Sequence, residues 1–80
     1  MTVKQAIQLI IQNQNSPALN YAVNYAKAAL NMDENSNEFE VQCLYIVNNI
    51  INWRAKKGDE TMKNQIKEAR TALKKAGKIK

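Results

Sequence analysis

The stretch that decides the fold is 38–58, with the sequence EFEVQCLYIVNNIINWRAKKG. Its apolar residues recur at intervals of three and four, the period of an α-helix, and they cover roughly half of its circumference. We therefore expect a long third helix, central to the fold, that ends at Gly58. The apolar face predicted for it consists of Phe39, Cys43, Leu44, Ile46, Val47, Ile50, Ile51 and Trp53.

Helical periodicity extends to both sides of this stretch, and each segment has its own start signal. Thr2 and Gln5 have the spacing of a capping box. Ser16 and Pro17 are typical of a helix cap and first helical residue, and Asp59 is a cap residue after a glycine. The predicted helices cover about 2–13, 17–31, 38–57 and 60–76, and residues 77–80 are expected to fray.

These segments predict an all-α protein, a compact bundle of three to four helices. The 80 residues form a single domain, because shorter pieces could not each bury enough apolar surface to fold. A chain of this size has a thin core, so self-association would stabilise it. We therefore expect a homo-oligomer.

The composition argues against several classes of function. The chain has no histidine and one cysteine, Cys43, so we expect no metal site, no cofactor and no disulfide. It has no glycine loop for phosphates and no nucleophile motif, so we expect no enzyme. No apolar run is long enough to span a membrane and the N-terminus does not look like a signal peptide. The expected location is the cytoplasm, that of the host if the gene is viral.

Positive charge is concentrated in the last third of the chain. Residues 1–53 carry two basic and four acidic residues, a net charge of −2, whereas the rest carries ten basic and three acidic residues, a net charge of +7. Four basic residues are spaced by four, three and four, which aligns them on one side of helix four as a basic stripe. Such an array attracts phosphates, although a solvated face that aids solubility is an alternative. The phosphate-binding candidates are Arg54, Lys56 and Lys57 in the preceding turn and Lys63, Lys67, Arg70 and Lys74 in the stripe.

Uncharged polar residues form a second pattern, opposite the apolar side of helix three. Asparagine is a poor residue for a helix interior, and places where local preference is overridden are often functional. Amides and phenols can hydrogen-bond nucleobase edges or another protein chain. The alternative is an ordinary solvent-facing row of amides. The candidates for base recognition or assembly are Tyr45, Asn48, Asn49 and Asn52, with Tyr21 and Tyr25 on helix two.

Three further residues near helix three have a more structural interpretation. Trp53 lies on the apolar face, which favours a packed indole over a stacking platform. Arg54 projects into the same face, where it could reach solvent, cap carbonyls or bind an anion. Cys43 is expected to be a small buried residue without a partner that could activate it.

Two stretches, ALNYAVNYAKAAL at 18–30 and LYIVNNIINWRAKKGDETMKNQIKEARTALKKA at 44–76, resemble small uncharacterised helical proteins of bacteriophages and mobile elements. The resemblance covers about half of the chain. It implies a protein that acts stoichiometrically: such proteins bind host nucleic acid, block a host or defence protein, or sequester an immune nucleotide signal. No site residue is assigned in that group, so none is carried over.

The sequence therefore predicts a non-enzymatic binding protein for an anionic ligand, a nucleotide or a nucleic acid. In this hypothesis the basic residues bind phosphates, and the tyrosines and asparagines serve bases or self-assembly. An alternative is a stoichiometric inhibitor or adaptor, for example an anti-defence protein, that docks a helix face on a host protein with an acidic surface.

Overall fold

Four α-helices and one short 3₁₀ turn make up the computed structural model, which describes residues 1–77. The helices are α1 (Val3–Gln12), α2 (Asn20–Leu30), α3 (Asn37–Asn48) and α4 (Glu60–Ala76), and the 3₁₀ turn at Pro17–Leu19 leads into α2. Within 1–77 there is no strand. The prediction of an all-α bundle is confirmed. Of the tail expected to fray, only Gly77 lies in the described part.

Three of the helices begin at side-chain caps, of which the sequence predicts those of α1 and α4. The Thr2 hydroxyl accepts a hydrogen bond from the backbone N–H of Gln5 at 3.1 Å. The side-chain oxygen of Gln5 accepts one from the backbone N–H of Thr2 at 2.8 Å, which completes a capping box. Ser36 and Asp59 each accept a backbone N–H bond from the third residue beyond, at 3.1 and 3.0 Å. Ser16 differs from expectation, since its side chain makes no capping bond and a 3₁₀ turn precedes α2.

The first three helices all end at an asparagine: Asn13, Asn31 and Asn49 are the C-cap residues. Two of these side chains bond back to the helix, since the amide nitrogens of Asn13 and Asn49 donate to the carbonyls of Leu9 and Tyr45 at 2.8 and 2.7 Å. A side-chain amide that satisfies a terminal carbonyl offers the backbone an alternative to further helix. These asparagines therefore stop helices, which explains part of the unusual asparagine content.

The third helix is shorter than its apolar pattern predicts, because it ends at Asn48 and not near residue 57. Residues 49–59 form a connection in which Ile50 and Trp53 remain buried although they are outside a helix. Their amides bond to the third residue before them, as in turns, at 3.3 and 3.0 Å. Ile51, which was expected in the core, is exposed. A turn that contains Gly58 at φ 91° then leads to α4.

The helices pack as a closed ring of neighbours around one core. α3 lies against α2 and α4, and α1 closes the ring by packing on the same two helices. The molecule has a Cα radius of gyration of 11.6 Å. Leu30, at the end of α2, is 40% exposed. The largest fully buried side chains are Phe39, Ile7, Ile10, Leu19, Ile46, Ile50, Leu73 and Cys43.

The end of α4 is fixed against α3 by a close backbone approach. Gly77 is buried, and a Cβ at this position would lie 3.1 Å from Leu44 Cδ2 and 3.3 Å from the Leu44 backbone nitrogen. Packing therefore favours glycine here, while the backbone of Gly77, at φ −77°, is one that any residue adopts. None of the helices in 1–77 has the length and apolar character needed to cross a membrane.

Candidate anion-binding site

A groove of about 530 Å³ lies between the connection at 53–55 and the first three turns of α4. Its charged lining consists of Arg54, Lys63, Lys67 and Arg70 against one carboxylate, Glu60, a net charge of +3. We call this surface the basic groove. The structure thus brings together four of the seven residues predicted to bind phosphate.

A smaller depression of about 280 Å³ adjoins the basic groove, shares Arg54, Glu60 and Lys63 with it, and also contains the carboxylate of Asp59. It adds Lys56 and Lys57, which are exposed in the connection before α4. Six of the seven predicted phosphate-binding residues therefore line one continuous basic surface. The exception is Lys74, which is exposed farther along α4 and lines neither depression.

Arg70 is held by the backbone of the connection. One terminal nitrogen of its guanidinium donates to the carbonyls of Ile50, Ile51 and Trp53, at 3.4, 3.2 and 3.0 Å. These carbonyls have left the regular helical pattern, and a cation satisfies their remaining lone pairs well. Arg70 thus joins α4 to the connection, a structural role that the regular spacing of the stripe did not indicate.

Arg54 has a similar role on the same segment. One terminal nitrogen of its guanidinium donates to the carbonyls of Ile51 and Trp53. Of the alternatives left open by the sequence, the structure therefore has Arg54 cap carbonyls at the groove edge. Trp53 is only 3% exposed, which confirms the packed tryptophan. Its indole is thus unavailable as an open stacking platform for a ligand ring.

The predicted tyrosine and asparagine residues lie at a different place, where α2 meets the end of α3. A groove of about 340 Å³, which we call the amide groove, is lined here by Tyr21, Asn48, Asn49 and Asn52, together with Ile51, Pro17 and Ala18, which were not predicted as site residues. Next to it the rings of Tyr25 and Tyr45 meet with centroids 5.1 Å apart and planes tilted by 40°.

The two predicted sets of site residues therefore belong to two surfaces, which share no lining residue. The connection supplies both, since Ile51 and Asn52 line the amide groove and Trp53 and Arg54 line the basic groove. Asn49 has only part of its side chain free for a ligand, because its side-chain nitrogen donates to the Tyr45 carbonyl at the end of α3. The signal that could have located the boundary is the sequence NNIIN, which combines asparagines with β-branched residues, all poor in helices.

Cys43 lies in the core away from both grooves. The pKa of its thiol is raised from 9.0 to about 11, mainly by burial and to a smaller extent by the nearby carboxylates Glu34 and Glu40. A thiol with such a pKa is almost fully protonated at neutral pH and is a poor nucleophile. Cys43 is thus a packing residue.

Comparison with protein-family models, with curated proteins and with solved structures found no match.

Proposed function

We propose that this protein is a non-enzymatic binder of phosphate-bearing ligands, a nucleotide or a nucleic acid, through its basic groove. The observation that carries the proposal is the convergence of four cations and a single carboxylate on one concave surface. Such a surface concentrates positive potential and attracts phosphate groups in preference to neutral or positively charged groups.

Lys63 and Lys67 make the direct phosphate contacts in this proposal. Both are exposed and lie one turn apart on α4, so their ammonium groups have freedom to move toward an anion. The carbonyl bonds of Arg54 and Arg70 use one terminal nitrogen of each guanidinium. A guanidinium has five N–H donors, so both arginines retain donors for a phosphate while they hold the groove wall.

The size and lining of the groove determine what kind of binding follows. Its 530 Å³ lies within the range of about 300–1,000 Å³ typical of small-ligand pockets, and its length along α4 also suits a polynucleotide backbone. Because Trp53 is packed in the core, ring stacking contributes little and the phosphates supply most of the affinity. Binding is therefore strongly dependent on salt.

A stoichiometric binder fits the resemblance to small proteins of bacteriophages and mobile elements, among which capture of host nucleic acid or of a nucleotide signal is a common mode of action. The proposal places this binding in the cytoplasm, that of the host for a viral gene. In that setting an anti-defence role requires only that the ligand be sequestered, without any reaction on it.

The proposal is tested with two double variants of equal net charge. Lys63→Gln with Lys67→Gln removes two cations of the basic groove. Lys27→Gln with Lys74→Gln removes two exposed cations that line neither basic depression. Fluorescence anisotropy at several salt concentrations would measure binding of labelled duplex DNA, single-stranded RNA and a cyclic dinucleotide.

We expect the groove variant to lose affinity for at least one probe while the control keeps it. On duplex DNA the slope of log affinity against log salt should become shallower by about 0.9 for each lost contact. If the parent protein binds only the cyclic dinucleotide, or only the DNA and RNA probes, that result shows whether the ligand is a nucleotide or a nucleic acid. Equal losses in the two variants would mean that only net charge matters. The groove variant could also keep its affinity for every probe and lose the ability to bind an acidic host protein. That result would replace this proposal with the inhibitor alternative.

A further inference from the structure

Parts of α2 and α3, with the start of the connection, form a surface without charged side chains, whereas Lys27 of α2 and Glu38 and Glu40 of α3 lie outside these parts. Residues 17–26 and 41–53 contain none of the charged residues of a chain whose net charge is +5. We call the exposed part of these segments the neutral face. Its members are Tyr21, Val41, Tyr45, Asn48, Ile51 and Asn52, with Pro17, Asn20 and Asn24.

The neutral face exposes large apolar side chains that a monomer would be expected to bury. Tyr21 is 75% exposed, Ile51 60%, Tyr45 45% and Val41 40%. They account for four of the six large apolar side chains exposed in the described part of the chain. Apolar groups concentrated on one side of a small protein, rimmed by amides, are typical of a protein interface.

The charge distribution indicates which partner suits this face. Two copies of a cationic chain repel each other wherever lysines and arginines meet, and the neutral face avoids that repulsion. A two-fold interface brings the same patch of both copies together, so the patch must be complementary to itself. Asparagine amides and tyrosine hydroxyls both donate and accept hydrogen bonds, and they therefore pair with themselves.

We propose that the neutral face is the interface of a symmetric dimer of this chain. A stable interface buries about 800 Å² of each partner, roughly a seventh of the 5487 Å² surface of this molecule. The uncharged parts of α2 and α3, at 20–26 and 41–48, are about 10–12 Å long, so that with the turn at 49–52 they provide less than that area. The dimer is therefore of modest affinity.

The dimer leaves the basic groove open, because the two surfaces have no lining residue in common. Each dimer then carries two basic grooves. This inference does not depend on the proposed ligand: a dimer without phosphate binding, or phosphate binding by a monomer, would separate the two proposals.

The dimer is tested by sedimentation equilibrium over a wide range of protein concentration. Ile51→Glu and Tyr21→Glu each place two buried charges in the interface, one from each copy, while both sites are exposed in the monomer. Gln8→Glu, at an exposed position of α1, is the matched control for the added charge. We expect the parent and Gln8→Glu to dimerise, and the two face variants to raise the dissociation constant roughly a hundredfold.

Circular dichroism must give the same helicity for all four proteins, so that a loss of dimer is not a loss of fold. A parent protein that stays monomeric at high concentration would overturn the proposal. So would an Ile51→Glu variant that dimerises like the parent. If the parent is monomeric and Tyr21→Glu weakens binding of single-stranded RNA, the neutral face binds bases and not a second copy.

Discussion

Replacement of Arg70 by glutamine tests whether this residue is primarily part of the fold. Its guanidinium joins α4 to the carbonyls of Ile50, Ile51 and Trp53. A hydrogen bond from a charged donor contributes about 1.5–3 kcal/mol to stability. Three carbonyls share one nitrogen with two hydrogens, so the contacts do not add fully. We expect Arg70→Gln to lower the free energy of unfolding by about 2 kcal/mol.

Urea denaturation followed by circular dichroism measures this loss. For a small domain with an m-value of about 1 kcal/mol per M, the midpoint should fall by about 2 M. Lys74→Gln, an exposed position one turn farther along α4, is the control and should change stability by less than about 0.5 kcal/mol. Arg70→Lys keeps the charge but lacks the planar fork, so it should recover only part of the loss.

The result that would refute this reasoning is an Arg70→Gln variant as stable as Lys74→Gln. The carbonyl contacts would then contribute no net stability, and Arg70 would be a phosphate ligand only, as its spacing in the basic stripe suggested. A loss of binding together with unchanged unfolding would point in the same direction.

Three further predictions concern packing, titration and capping. Gly77→Ala should lower the free energy of unfolding by about 1–2 kcal/mol, because the new Cβ would lie 3.1 Å from Leu44. Gly58→Ala should lower it by about 1 kcal/mol for a different reason: the site is open, but its left-handed φ of 91° is unfavourable for alanine. Gly58→Asn should therefore recover stability at that turn, as measured in urea. The Cys43 thiol keeps its proton in the fold up to a pKa of about 11 but loses it near 9.0 when unfolded. Stability from this group is thus complete below pH 9 and falls between pH 9 and 11 by up to about 1.4 kcal/mol per pH unit, a decline that Cys43→Ala should lack. Ser36→Ala removes the cap of α3 and should cost about 1 kcal/mol in the same urea assay.

Each of these predictions has a contradicting outcome. A Gly58→Asn variant no more stable than Gly58→Ala would mean that φ is not the cause at that turn. A parent protein and Cys43→Ala with parallel stability curves from pH 9 to 11 would show that the thiol titrates alike in the folded and unfolded chain. An unchanged urea midpoint in Ser36→Ala would mean that packing alone sets the start of α3.

Most of the fold follows from the sequence because helix periodicity and caps act locally. The capping box at Thr2 and Gln5 and the cap Asp59 are where the pattern predicts them. The end of α3 was predicted wrongly because the apolar period continues through Ile50. A period of three to four also describes a series of turns that points the same residues inward, so periodicity alone could not distinguish the two.

The candidate site was predictable in its composition but not in its arrangement. The distribution of charge indicates which third of the chain is basic, and the structure has most of those residues on one surface. A guanidinium can face an anion or a backbone carbonyl, and the choice depends on where another segment, here the end of α3, stops being helical and leaves its carbonyls accessible. That is a tertiary property, and for Arg54 and Arg70 it decides how much of each side chain remains for a ligand.

The early end of α3 is what gives the molecule two separate surfaces. If residues 49–57 had continued the helix, Ile51 would have been expected on its apolar face, and Arg54 would have projected from that same face. The turn at Asn49 instead exposes Ile51 and Asn52 beside α2, and it exposes three carbonyls that hold Arg70. A single change of backbone direction thus adds apolar area to the neutral face and builds one wall of the basic groove. Changes that extend α3 should therefore weaken both surfaces together.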